Sequence, residues 1–184
     1  IKPDMVTMAK GVASGYAAIS CTVMTEDLFN QFKDPEDPRM DYFRDISTFG
    51  GCTAGPAAAL ANMQIIEDEK LLDNVNEQGE HLMARLNQLK DKYDIIGDVR
   101  GKGLFAGFEM VKDRATKEPV DEGVAMAIGA HCMKNGVIIG RTNRSFKEYN
   151  NTVCLSPALI ATRADIDKIV DAIDNAMAEV TPNA

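Results

Sequence analysis

Residues 3–20 read PDMVTMAKGVASGYAAIS, with one lysine, Lys10, held between an apolar run and a glycine-rich turn. Three chemistries suit a lysine in that setting. The first is none, since a solvated surface residue is the default for the type. The second is phosphate binding, but the Walker pattern Gly-x-x-x-x-Gly-Lys-[Ser/Thr] puts its lysine after the second glycine, and Lys10 precedes both Gly11 and Gly15. The third is attack on a carbonyl to form a Schiff base. That chemistry asks for a lysine at the end of a strand, with neighbours small enough to admit a flat ring, and for a neutral amine. Ala9 and Gly11 give the steric opening.

Other reactive types are sparse. Cys21, Cys52, Cys132 and Cys154 are far apart with no Cys-x-x-Cys pair, which argues against zinc and against a redox dithiol. Reduced thiols in a cytoplasmic protein are the simpler reading. His81 and His131 fall in separate helical segments, so no metal site is expected, and His81 reads as a surface helix residue. The run Ser47–Thr48–Phe49–Gly50 offers hydroxyls and backbone N–H groups without bulk, which suits an anion. Arg100 reads as a structural ion pair. Arg141 and Arg144 follow an apolar GVIIG run.

These residues need a scaffold, and composition supplies one. The chain has 184 residues, 45% apolar and 26% charged, the balance of a soluble globular protein with a core large enough to need no metal or disulfide. The formal charge of −8 repels phosphate backbones, so nucleic-acid binding is not expected. No apolar run is long enough to cross a membrane, and IKPDMV does not resemble a signal peptide. The chain starts at Ile1 rather than methionine and reads as beginning within a longer protein.

Residues 17–24 predict a buried strand, and Thr25 caps a helix whose inner side carries Leu28, Phe29 and Phe32. Residues 33–45 predict an exposed excursion, and Ser47–Pro56 a loop leading into a helix with Pro56 in its first turn. Leu72, Val75, Gly79, Leu82, Leu86, Leu89 and Tyr93 recur three and four apart, one apolar stripe down a long helix that ties two lobes together. Residues 98–111 predict one strand after a glycine turn. Pro119 opens a helix ending at Gly136. VIIG (137–140) and NTVCLS (151–156) predict two short strands. Thr162 caps the last helix, strengthened by Asp165, with Ile166, Ile169, Val170, Ile173, Ala176, Met177 and Val180 facing inward. The fold class is therefore α/β. Residues 1–94 form the end of a larger domain with its connecting helix, and 95–184 a small α+β domain.

The lysine segment resembles the motif P-D-hydrophobic-x-T-x-[AS]-K-G-x-x-x-G-Y of the class III aminotransferases, fold type I pyridoxal-phosphate enzymes. Three further segments are similar to family motifs in the same order: STFGGCTAGP, VRGKGLFAGFEMV and NTVCLSPALIATRADIDKIV. The resemblance spans the whole chain, and YFRDISTFGG is closest to taurine–pyruvate and ω-amine–pyruvate aminotransferases. The sequence departs from the family pattern at Cys52 and Thr53, which replace a His-Pro pair, and at Ala158, which replaces the second proline of a Pro-Pro pair.

The resemblance implies the C-terminal part of the large cofactor domain plus the small C-terminal domain. It implies that Lys10 holds pyridoxal 5′-phosphate and shuttles the proton. Thr48, with Ser47 and Phe49, would bind the phosphate, across to a neighbouring subunit. Arg141, or Arg144 in second place, would take the substrate carboxylate. The substrates would be an ω-amino acid or amine donor and a keto acid such as pyruvate, and the protein a cytoplasmic homodimer. Other class III chemistries, an aminomutase or a decarboxylase, share the motif. The family's ring-pairing aspartate, stacking aromatic and second phosphate loop lie upstream of the lysine. The 184 residues alone are therefore expected to be inactive, and a lobe serving only folding and subunit contacts is the non-enzyme reading.

Overall fold

The computed structural model describes residues 2–40, 43, 46–143 and 146–181. The chain divides into two compact units, Ile1–Glu69 and Lys70–Ala184.

In the first unit, β1 (Met5–Ala9) pairs antiparallel with β2 (Ser20–Met24), with Ala9 opposite Ser20. The strand expected over 17–24 begins later and is not buried, because in a two-stranded ribbon its residues remain exposed or half-covered. Thr25 caps the short helix α1 (Glu26–Phe29), its Oγ1 accepting from the Leu28 N–H at 3.4 Å, but no α1 residue is buried. Helix α2 (Ala54–Asp68) follows the Ser47 loop with Pro56 in its first turn, where a missing N–H costs nothing.

The second unit opens with α3 (Leu71–Lys92). The helical run breaks between α2 and α3 at Lys70, which lies at φ +51°. Leu82, Leu86 and Leu89 of the expected stripe are buried, whereas Leu72 points outward and Leu71 takes its place. Because that stripe packs into the core of the later sheet, α3 belongs to the second compact unit, so the units part at 69/70 rather than at 94/95.

The strand expected after the glycine turn is β4 (Phe105–Asp113), and the residues before the turn form a further strand, β3 (Ile96–Lys102), joined to it by a tight turn at Gly103. Gly103 sits at φ +55°, and a Cβ there would lie 2.6 Å from Val75 Cγ1. A Cβ on Gly79 would lie 2.6 Å from Gly103 Cα, so two glycines let the helix backbone touch the hairpin turn. Period-2 reading found β4 but not β3, whose residues Gly97, Asp98, Arg100, Gly101 and Lys102 carry no alternating apolar face.

Pro119 ends the two-residue strand β5 (Glu118–Pro119) rather than opening a helix. Helix α4 (Glu122–Lys134) is capped by Asp121, whose carboxylate accepts from the Gly123 N–H at 2.8 Å. Gly136 lies at φ +75° just past its end. The VIIG strand is reduced to β6 (Gly140–Arg141), and β7 spans Thr152–Leu155. The sheet is antiparallel throughout, in the order β3-β4-β7-β6 with β5 on β4. Helix α5 (Arg163–Val180) begins with the expected capping box between Thr162 and Asp165. One core joins α3, α4 and α5 to this sheet, with Phe108, Ile128, Val153, Ile166 and Ile173 fully enclosed.

Polar groups clamp α3 to α5. His81 is not the free surface residue expected: its Nε2 stands 2.7 Å from Asp167 Oδ1, and its side chain is 12% exposed. Arg85 reaches both Asp167 and Asp171, and Lys92 and Tyr93 converge on Asp174. The hydrogen bond from His81 holds the Asp167 carboxyl below the usual carboxylate range, burial opposes it, and the charges of His81 and Arg85 lower it further. A carboxylate lowered by folding contributes stability above its unfolded pKa of about 4, lost as pH falls through the folded value. The melting temperature should hold from neutrality to about pH 5 and then drop, and Asp167→Asn should flatten that drop. An acid limb identical in Asp167→Asn would remove Asp167 from the account.

Candidate active site

Lys10 follows the last residue of β1 and opens a single 3-10 turn, Lys10–Ala13. The strand-end position asked for by the chemistry is therefore met. Its backbone stands at φ +55°, a conformation that a residue with a Cβ adopts only where the surroundings enforce it. Ser14 at φ +52° and Gly15 at φ +78° continue the reversal toward β2. Inside the turn, Ser14 N–H donates to Gly11 O at 3.0 Å and Tyr16 N–H to Ala13 O at 3.0 Å, and Ala13 is buried.

Space beside the lysine is open. A Cβ placed on Gly11 would meet nothing within 4 Å. Ala9 on the other side is the smallest residue that keeps β geometry, and Lys10 itself is exposed. A lysine at a strand tip with free volume beside it suits covalent capture of a flat ring bearing an aldehyde.

The Ser47–Gly50 segment is a tight turn, with Gly50 N–H donating to Ser47 O at 3.0 Å and Cys52 N–H to Phe49 O at 3.1 Å. Ser47, Thr48 and Phe49 are all exposed, so both hydroxyls are accessible. The turn runs into α2, whose first helical bond links Ala57 N–H to Thr53 O at 3.1 Å. Helix α2 also braces the lysine turn. Asn62 Nδ2 donates to Gly11 O at 3.1 Å and to Val12 O at 3.0 Å. Nearer its start, a Cβ on Gly55 would lie 3.3 Å from Ala18 O. The Lys10 turn and the Ser47–Phe49 turn are thus both attached to one helix.

Sequence reasoning missed Asn62. The available signal was the α2 stripe Gly55, Ala59, Asn62, Ile66, spaced four, three and four apart, which with Ala58 are its buried or half-buried positions. An asparagine on the covered side of a helix needs partners.

Arg141 lies in the second unit on β6, opposite Val153, half-buried, with Nη1 donating to Thr142 O at 3.2 Å. With Lys134, Met126, Met133 and Ile139 it lines a cleft of about 490 Å³ beside α4. Arg144 lies outside the described residues. Arg100 is committed to Asp98 at 2.8 Å and Glu109 at 2.9 Å, the structural ion pair expected of it. All four cysteines are free, and burial pushes the Cys132 thiol up, away from reactivity. Among the described residues no group of three His, Cys, Asp or Glu side chains could hold a metal, and no helix is long and apolar enough to cross a membrane.

The sequence model of the class III aminotransferases matches residues 1–177. Hypotaurine/taurine–pyruvate aminotransferase of Paracoccus denitrificans is 64% identical over 180 residues, covering 98% of this chain and 39% of that protein. Taurine–pyruvate aminotransferase of Bilophila wadsworthia is 63% identical, over 98% of this chain and 40% of that one. The chain therefore spans about two fifths of the length of the curated relatives it matches. Among solved structures, an aminotransferase of Bacillus anthracis superposes with a TM-score of 0.89 at 36% identity, over 97% of this chain and 39% of that one. An amine transaminase from an uncultivated Pseudomonas species, in the PLP-bound (internal aldimine) form, gives 0.83 at 29% identity, over 97% of this chain and 39% of that one.

Proposed function

The chain belongs to the class III aminotransferase family, and from that membership we propose that the whole protein moves an amino group from an ω-amino acid or amine, taurine-like, to pyruvate. The observation that carries the reading is Lys10 at the tip of β1, held at positive φ with open space beside Gly11.

These residues fit pyridoxal 5′-phosphate. Lys10 would hold its aldehyde carbon, and the hydroxyls of Ser47 and Thr48 with the backbone around Phe49 would hold its phosphate. When bound, that group supplies an electron sink for the pair left on the donor's amino-bearing carbon. Lys10 Nζ, once freed by the incoming amine, would take the proton from that carbon as base and deliver it as acid to the carbon that was the cofactor's aldehyde carbon, so that the amino group stays behind and the donor leaves as a carbonyl compound. Two half-reactions sharing one lysine give ping-pong kinetics. Arg141, with Arg144 second, would take the carboxylate of pyruvate. Donor and keto acid enter the same site in turn. The protein would work as a homodimer, Thr48 serving the neighbouring subunit, and the four free thiols support a reducing compartment, the cytoplasm.

The experiment is an initial-rate comparison of taurine, β-alanine and an aromatic amine as donors to pyruvate with the full-length protein. Fastest turnover with taurine is expected, and alanine formation from none of the three would overturn the proposal.

Two substitutions resolve the binding groups. Thr48→Ala should weaken cofactor affinity by about 1–3 kcal/mol, the cost of a lost hydrogen bond to a charged group. An unchanged dissociation constant would assign Thr48 to loop shape alone. Arg141→Ala should raise KM for pyruvate while leaving amines without a carboxylate untouched, and an equal effect on both would remove it as the carboxylate clamp.

A further inference from the structure

We propose that Asn62 is the positioning residue for Lys10. The inference rests on the reading of Lys10 as the cofactor-holding lysine. Asn62 stands on the half-buried stripe of α2 and gives both protons of its one Nδ2 to consecutive carbonyls, Gly11 O at 3.1 Å and Val12 O at 3.0 Å. An amide NH₂ has two donors, so the fork uses its full capacity on one turn of backbone.

The need for such a brace follows from the neighbours of Lys10. Gly11 leaves the space that a flat ring requires, but a glycine with nothing within 4 Å of its Cβ direction is the least constrained residue a chain can hold. Lys10 itself sits at φ +55°, which relaxes unless the surroundings hold it. The internal bonds of the turn, Ser14 N–H to Gly11 O and Tyr16 N–H to Ala13 O, come from the same short segment and can move with it. Asn62 comes from a fifteen-residue helix and ties the carbonyls one and two residues after the lysine to a rigid element. Freedom beside the ring and rigidity of the amine are thereby supplied by different residues.

The test uses the full-length holoenzyme and its cofactor-free form, with Asn62→Ala, Asn62→Asp and Asn62→Gln. Asp matches Asn in shape but turns an acceptor toward two carbonyl oxygens, so it separates hydrogen bonding from packing. For both Ala and Asp, kcat should fall about 10–100-fold, the cost of a misplaced reacting group, with the donor KM within about twofold. The pH at which the visible band of the lysine-bound cofactor titrates should move. Without cofactor, amide exchange should accelerate in the peptide covering residues 10–16 and stay unchanged in α5. Gln, which keeps the donor, should recover part of both effects. Asn62→Asp matching the parent in kcat and in exchange would overturn the brace, and so would Gln behaving no better than Ala. Borohydride labelling of a lysine other than Lys10 would instead sink the reading of Lys10, while the exchange measurement would still report on the brace by itself.

Discussion

Lys10→Ala should abolish turnover, lowering kcat with taurine and pyruvate by about 10⁴-fold or more in the full-length protein. The substitution removes one amine that is given two tasks, covalent attachment and proton transfer. No other lysine shares its turn: Lys2 is the nearest upstream and Lys33 the nearest downstream. Cofactor affinity should fall far less than rate, because in the proposed site the Ser47–Thr48 turn would hold the phosphate independently of the lysine. Reducing the parent enzyme with borohydride should fix the label on the peptide that contains Lys10. A label elsewhere, or a Lys10→Ala enzyme within about tenfold of the parent, would contradict the assignment. The backbone predicts a further detail. At φ +55° the alanine is as strained as the lysine was, so the variant should keep the fold of the turn and lose only the chemistry.

Phe108→Ala should destabilise the second unit by about 3–5 kcal/mol, the range for emptying a large aromatic site in a closed core. Phe108 is fully buried, at the centre of the sheet, opposite Val99 on β3 and Val153 on β7. Its neighbours cannot collapse into the space freely, because both flanking strands are fixed in register by ladder bonds. The control stands three residues away. Phe105, on the same strand but 73% exposed, should tolerate alanine within about 0.5 kcal/mol. For a chain of this length each kcal/mol moves the melting temperature by about 2–4 °C. Equal losses from the two substitutions would show that burial in the sheet does not govern this unit's stability.

Much of both results was written in local sequence. The lysine between Ala9 and Gly11 and the turn glycines that follow are consecutive or near-consecutive residues. The capping box of Thr162 and Asp165 and the helical spacing of Leu82, Leu86 and Leu89 are equally local. Each follows from covalent neighbours and one helical or strand period, which the chain states directly. Family membership was legible for the same reason, since its motifs are short runs in a fixed order.

What the tertiary structure decided lies in pairs distant along the chain. His81 meets Asp167 across 86 positions, and Asn62 meets Gly11 across 51. The run Asp98–Lys102, exposed except at half-buried Val99, becomes a strand only because β4 lies beside it to complete its hydrogen bonds, a gain that no apolar alternation announces. Leu71 rather than Leu72 is buried, because four residues before Val75 it lies on the α3 face that packs inward, and sequence spacing alone allowed either. A side chain's period fixes which residues share a face. What that face meets, and hence whether a histidine is free or an asparagine bonds to the turn after Lys10, is fixed only when close packing selects one partner among many.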